Sequence, residues 1–352
     1  MATWGLTAHS SIFAEKIHAA DFLLVTTGAG FSADSGLPVY MYAMDIANVD
    51  AYSRMGVEYH DLCDPCWIHN DLPVFYGFWG DCFNMYRDTT PHGGYEILQR
   101  WKERVTSKDG APTLDTESAT TEPFFTYTSN VDAHFLKYFR ANETFEIHGN
   151  TENWQCSDQS CEKIWQLPVD FRFTIDKDTM LAQETNNFAY VCDLTTFISH
   201  CRDTSSFLKC EDCGAPARPN VLMFGDGDWL ENSNENERYN EWLAAVRYAL
   251  QQDATKRLVI LEIGCGTRVP TVRMHSEGVL LQVLKKTLHT YKETGHYQVE
   301  LIRVNPVMEP DVYKWQSRSK DKMPSPMLKI NGYGLATLRA IDDALALLDE
   351  TA

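Results

Sequence analysis

The strongest constraint on how this chain can fold is an apolar strand that runs straight into a glycine-rich turn. Phe22 to Val25 reads as the core of a buried strand ending at Thr27, and Gly28-Ala29-Gly30-Phe31-Ser32-Ala33-Asp34-Ser35-Gly36-Leu37-Pro38 follows directly. Small residues let the backbone approach a pyrophosphate, and a helix opening at the turn offers free N–H groups and a partial positive charge. A dinucleotide-binding turn and a ligand-free strand-to-helix turn share this pattern, because a short glycine-rich match is not specific alone.

Alternation of elements extends the reading. The spacing of apolar residues predicts helices over Ile12 to Ala20, Tyr95 to Val105, Ala133 to Phe139 and Leu335 to Leu348, with a surface loop over Thr106 to Pro123. Strands are predicted at Phe124 to Thr128, Thr144 to Ile147, Leu258 to Ile263 and Val299 to Val304. Strands alternating with helices imply a parallel sheet, so the expected class is α/β, Rossmann-like, with helices on both faces. Residues 40–91 are rich in aromatics, including Trp67, Phe75, Tyr76, Phe78, Trp79, Phe83 and Tyr86. They suit either a helical cofactor-covering region or plain core.

At 352 residues and 44% hydrophobic content the chain can bury a real core. It contains no uninterrupted apolar run of about eighteen residues and no basic-then-apolar leader, so a soluble intracellular protein is expected, cytoplasmic rather than nuclear, without membrane contact. Lysine and arginine number 31 against 49 acidic residues, a formal charge of −18, which argues against binding the nucleic-acid backbone. The same negative field either steers lysine-rich substrates or simply maintains solubility.

Ten cysteines in such a chain suggest thiols and a metal rather than disulfides. Cys210 and Cys213 form one close pair, and Cys156 and Cys161 a second with four residues between them. Two such pairs can supply the four soft ligands of tetrahedral Zn2+, with Trp154 and Trp165 as a small packing surface. The gap from Cys161 to Cys210 is long for a zinc ribbon and contains Cys192 and Cys201 as substitutes. Cys63-Asp64-Pro65-Cys66 lacks a partner pair and reads as the start of a helix. These features divide the chain into a Rossmann-like domain (1–39, 92–149 and 218–352), a helical cofactor-loop region (40–91) and an inserted zinc-binding module (150–217).

Three further segments stand in a fixed order after the glycine turn: Thr128-Ser129-Asn130-Val131-Asp132, Glu146-Ile147-His148-Gly149-Asn150, and Arg218-Pro219-Asn220-Val221-Leu222-Met223-Phe224-Gly225-Asp226. With the cysteine pairs, this series resembles the sirtuin family of NAD-dependent protein deacylases across nearly the whole chain. His148 stands at a strand end, where ligands gather in open α/β sheets, and imidazole can accept a proton near neutral pH. Asn130 and Asp132 follow another strand, where capping a helix and contacting a ligand are comparable readings from sequence alone.

The resemblance implies a specific chemistry. NAD lies across the carboxyl ends of the sheet, and the acyl group of an acylated-lysine protein or peptide passes to ADP-ribose with release of nicotinamide. His148 is the expected general base, and Asn130 orients the ribose or a water. Asp132 holds nicotinamide, and Gly28, Ala29, Gly30 and Ser32 bind the pyrophosphate. Gly264, Gly266, Thr267 and Asn305 match cofactor contacts, while Ser129 stands where many relatives have glutamine. Zn2+ is structural in this resemblance. Tyr40-Met41 departs from the usual phenylalanine and arginine, which leaves Arg54, Arg87 or an altered acyl preference to account for the missing charge. Such departures also resemble a branch known partly for ADP-ribosyl transfer, whose linked members often lack the histidine kept here as His148. Protein mono-ADP-ribosyl transfer, NAD hydrolysis and NAD sensing without turnover are the alternatives.

Overall fold

The computed structural model describes residues 3–39, 50–108, 122–183, 207–313 and 323–351. Six parallel strands make the main sheet: β1 (Phe22–Thr27), β2 (Phe124–Thr128), β3 (Thr144–Glu146), β9 (Leu258–Ile263), β10 (Val299–Asn305) and β11 (Met327–Asn331). Their spatial order is β11-β10-β9-β1-β2-β3. The chain therefore builds outward from β1 in one direction and returns to build from its other side, which opens a crevice beyond the carboxyl ends of β1 and β9.

All six residues of β1 are buried, as a continuous apolar run must be when helices cover both faces of a parallel sheet. Successive side chains alternate between faces. Leu23 and Val25 pack with helices α1 (Thr3–Ala19), α7 (Gly94–Thr106) and α10 (Gly334–Thr351) through Phe13, Ile17, Leu98, Trp101 and Leu338. Phe22 and Leu24 pack against α8 (Ser233–Gln252) and α9 (Thr271–Thr294) through Trp242, Val246, Leu280 and Val283.

A second, three-stranded antiparallel sheet has the order β5-β4-β8, from β4 (Gly149–Cys156), β5 (Ile164–Gln166) and β8 (Ala217–Val221). Between the two sheets runs α6 (Leu72–Asp88), preceded by short helices α3 (Asp50–Met55), α4 (Tyr59–Leu62) and α5 (Trp67–Asn70). Phe75, Tyr76, Phe78, Trp79, Phe83 and Tyr86 of α6 are buried in a third core with Trp154, Phe171 and Phe173. A hairpin of β6 (Ile175–Asp176) and β7 (Leu181–Ala182) closes over it.

Several elements differ from the sequence expectation. The helix after the glycine turn is one turn, α2 (Ala29–Ser32), continued as a 3-10 turn over Ala33–Ser35 that stops at left-handed Gly36. Polar side chains there bond outward: Asp34 accepts from Leu335 N at 2.7 Å, and Ser35 from His92 N at 2.9 Å. The helix expected at Ala133 to Phe139 is only a 3-10 turn at Phe135–Lys137. Helices α8 and α9 and strand β11 belong to no expected element.

Candidate active site at the strand ends

The sheet itself aligns the site. Thr27 pairs with Thr128 on one side and Ile263 on the other, so β1, β2 and β9 end level. Their ladder runs one residue further, with Ser129 N donating to Thr27 O at 3.1 Å, Gly28 N to Ile263 O at 3.1 Å, and Gly264 N to Val304 O at 3.0 Å. Gly28, Ser129 and Gly264 thus stand side by side. Gly264 adopts φ +68°, and a Cβ there would come within 2.4 Å of Phe31 N. The two glycine turns touch backbone to backbone, which only glycine permits.

Above this row lies a cavity of about 260 Å3. Gly28, Ala29, Ser32, Ser129, Asn130, Asp132, His148, Gly264 and Gly266 all line it. Three other expected residues do not. Gly30 lies beneath, its N donating to Gly264 O at 3.1 Å, and Asn305 donates through Nδ2 to Cys265 O at 3.3 Å. Thr267 is exposed. Asn305 therefore braces the loop after β9 from behind.

Ser32, Asn130 and Asp132 form one network. Asn130 Nδ2 donates to Ser32 Oγ at 2.8 Å, Ser32 Oγ donates in turn to Asp132, and the other Asp132 oxygen accepts from His134 N at 2.9 Å. Thr128 Oγ1 accepts from Asn130 N at 3.1 Å. Asn130 and Asp132 are buried, yet Asn130 Oδ1 has no hydrogen-bond partner. A buried acceptor left unpaired carries a desolvation cost that a donor from a bound molecule would remove.

His148 enters from the far side of the crevice, two residues beyond β3. Gly149, at φ +68°, turns the chain at that point into β4, and a Cβ there would sit 2.0 Å from Asn220 O. His148 O accepts from Leu222 N at 2.9 Å, so the histidine is clamped between the two sheets. Burial lowers its pKa below the ordinary histidine value, against a hydrogen bond to the Ser129 backbone. The shift favours the neutral form, whose free ring nitrogen can accept a proton.

Residues that the sequence reading did not assign to the site complete the walls. Tyr59, Cys63, Trp79, Tyr86, Met223 and Phe224 give one side of the cavity an aromatic and apolar lining. The 222–224 loop is held by a buried pair, Arg218 with Asp226, whose carboxylate also accepts from Met223 N at 3.1 Å. Burial alone would raise the pKa of Asp226, but the guanidinium and two backbone N–H groups outweigh it and hold the carboxyl below its usual value. Behind the loop after β9, Arg273 Nη1 donates to Cys265 O at 3.1 Å. Arg303, Glu262 and Glu277 form a fully buried ion cluster alongside.

Neither arginine considered for the missing charge lines the cavity. Arg87 pairs with Glu152 at 2.7 Å, donates to the carbonyls of Leu167, Pro168, Val169 and Phe171, and lies over Phe83. Arg54 donates to Asp178 O at 2.6 Å. Tyr40 and Met41 lie outside the described residues.

The cysteine pairs meet as the spacing predicts. The sulfurs of Cys156, Cys161, Cys210 and Cys213 all fall within 4.8 Å of one another. Cys156 and Cys213 are 3.3 Å apart, and Cys161 and Cys210 3.8 Å. The edge of a tetrahedron with Zn–S bonds of 2.3 Å is about 3.8 Å, so the donor set fits zinc with no position left open for catalysis. Trp154 and Trp165 face each other across β4 and β5. Cys66 caps α5 as a helix start, its N donating to Asp64 Oδ1 at 2.8 Å, whereas Cys63 lines the cavity. Cys192 and Cys201 lie outside the described residues.

Comparison with known proteins follows this geometry. No family model matches the chain. One solved structure, a Sir2 homologue mutant in complex with ADP-ribose, superposes with a TM-score of 0.56 at 13% identity, covering 97% of this chain and 98% of that one. The chain has the Sir2 fold. A Sir2 complex with a p53 peptide and NAD+ gives a TM-score of 0.52 at 16% identity, covering 96% and 98% of the two chains. By sequence, the NAD-dependent protein deacylase 2 of Corynebacterium efficiens is 23% identical over 307 residues, which are 86% of this chain and 89% of the relative. Among the described residues, no helix of this Sir2-fold chain is long and apolar enough to cross a membrane.

Proposed function

We propose that this chain is a divergent sirtuin, an NAD-dependent protein-lysine deacylase that transfers the acyl group of a substrate lysine to ADP-ribose. One observation carries the reading: residues from four strand ends, Gly28 with Ser32, Asn130 with Asp132, His148, and Gly264 with Gly266, line a single cavity at the reversal of strand order. The site fits a dinucleotide on two grounds internal to it. Gly28, Ala29, Gly264 and Gly266 line the cavity with two closely packed glycine turns, and Asn130 Oδ1 is a buried acceptor without a donor.

When bound, NAD supplies an activated bond between nicotinamide and ribose. The protein's part is placement and proton transfer. Gly28, Ala29, Gly264 and Gly266 form the pyrophosphate cradle, with Gly30 beneath it, Ser129 and Thr267 at its edges and Asn305 behind. Ser32 holds Asn130 and Asp132 in one hydrogen-bonded network, which limits their reorientation during reaction. His148, kept neutral by burial, takes a proton from a ribose hydroxyl as general base. No lysine or arginine is among the described residues of the cavity wall, which favours an uncharged acyl group.

In this reading residues 1–39, 92–149 and 218–352 bind the nucleotide, 40–91 cover it, and 150–217 form the zinc module. Zn2+ held by the four cysteines shapes the module and takes no part in proton transfer. None of the eight described cysteines is in a disulfide, in keeping with work inside the cell, in the cytoplasm. The test is mass spectrometry of the products from labelled NAD and an acetyl-lysine peptide. O-acetyl-ADP-ribose formed in step with nicotinamide is expected. Label retained on protein, or nicotinamide released equally without peptide, would overturn deacylation in favour of ADP-ribosyl transfer or NAD hydrolysis.

A further inference from the structure

On the face of the sheet covered by α8 and α9, away from the strand-end cavity, a second cleft of about 280 Å3 opens between the two helices. Arg247 and Gln251 line it from α8, one turn apart, and Gln282, Lys285 and Lys286 line it from α9 over one further turn. Val283 and Thr287 form its floor, both buried, with the Thr287 hydroxyl spent on Val283 O at 3.0 Å. Every charge on its wall is positive, in a chain whose formal charge is −18.

Those cations are uncommitted. Among the described residues none of Arg247, Lys285 and Lys286 takes part in an ion pair, whereas Arg87, Arg218, Arg273 and Arg303 all do. Arg247 Nε is buried without a hydrogen-bond partner. Partial burial also lowers the Arg247 pKa from its ordinary value, the signature of a charge kept from water without a counter-ion. Leaving a half-buried guanidinium unpaired beside two ammonium groups is costly, and an oxyanion removes that cost through charge-assisted hydrogen bonds.

We propose that this cleft is a binding site for a phosphate group, with Arg247 as the forked donor and Lys285 and Lys286 as the neutralising charges. A phosphate carries close to two negative charges and several acceptor oxygens, which suits three cations and two amides better than the single charge of a carboxylate does. The site is separate from the strand-end cavity, and its occupancy stands or falls independently of the deacylase reading.

The experiment is calorimetric titration of the full chain with inorganic phosphate at constant ionic strength, with and without saturating NAD. The variants are Arg247→Gln and the double change Lys285→Glu with Lys286→Glu, and melting in chloride confirms that each is folded. Phosphate binding by wild type, unaffected by NAD and weakened at least tenfold in the double variant, is the expected result. Equal affinity in wild type and in both variants, or loss of binding when NAD is present, overturns the proposal; the latter outcome places the phosphate at the glycine turns. A phosphoserine peptide titrated in parallel identifies the source. Tighter binding than inorganic phosphate assigns the cleft to a phosphorylated protein segment, and weaker binding to a free phosphate.

Discussion

The strand-end cavity and the cysteine module solve the same problem, holding a few polar groups in fixed positions, by opposite means. In the cavity the sheet does the positioning: three strands end level, glycine backbones touch, and Ser32, Asn130 and Asp132 bond to one another without any ligand. In the module the β5-β4-β8 sheet is small, and four thiols from two distant pairs converge within 4.8 Å of one another, a spacing that suits a zinc ion. Pre-organisation by a core survives loss of the ligand, whereas organisation by a metal does not.

Removing zinc should separate the two regions most sharply. Chelation, or Cys210→Ser, should forfeit a metal-linked stabilisation on the order of 10 kcal/mol, the scale of structural zinc sites. Hydrogen exchange would then show β4, β5 and β8 losing protection while β1, β2 and β9 keep theirs. Uniform loss of protection across both sheets would mean that the module and the parallel sheet unfold as one. His148→Ala tests the opposite case, a change in chemistry without a change in fold. Deacylation should fall about 10²- to 10⁴-fold, the usual contribution of a positioned general base, with an unaltered melting temperature.

Gly264→Ala sits between these extremes. An alanine at φ +68° with its Cβ against Phe31 N should cost about 3 kcal/mol and weaken NAD binding, measured by denaturant unfolding and titration. Gly214, also at positive φ in the cysteine knuckle, has open space around it, and the same change there should cost only about 1 kcal/mol. An effect between these two in size concerns pH. His275 stacks on Tyr127 with ring centroids 4.1 Å apart, and burial lowers its pKa to about 4, aided by the nearby Arg247 charge. The unfolded chain therefore takes up this proton first, so the contribution is intact above pH 6.5 and declines as pH falls toward 4. Wild type should lose about 2 kcal/mol between pH 7 and pH 5 from this residue, and His275→Asn should flatten that slope.

Features written in consecutive residues were legible in the sequence. The strand and turn from Phe22 to Pro38, the Thr128 to Asp132 segment, His148 before Gly149 and the two cysteine pairs each put chemistry beside its own structural cue. Helix α9 was not legible, because its buried face carries Arg273, Ser276, Glu277, Thr287 and Thr290, polar residues that blur an amphipathic period. Several are buried through partners outside the helix: Ser276 with Thr26, Glu277 with Arg303, and Thr290 with Gln298. The aromatic run of α6 was readable as core or as cofactor cover, and the structure uses it for both, since Trp79 and Tyr86 reach the cavity while Tyr76 and Phe83 pack on Trp154. Arg54 and Arg87 were plausible replacements for a missing charge only until their partners on the β6–β7 hairpin and the module were seen.

Strand β4 joins the two regions. It starts at Gly149, next in the chain to His148, and ends at Cys156 of the four-cysteine cluster, roughly 20 to 25 Å away along an extended chain. Its pairing with β8 is irregular between Asn150 and Trp154, so the stretch beside His148, held where Leu222 N bonds His148 O, is set apart from the stretch that carries the thiol. A disturbance at the thiol end would therefore reach the imidazole only through that irregular stretch.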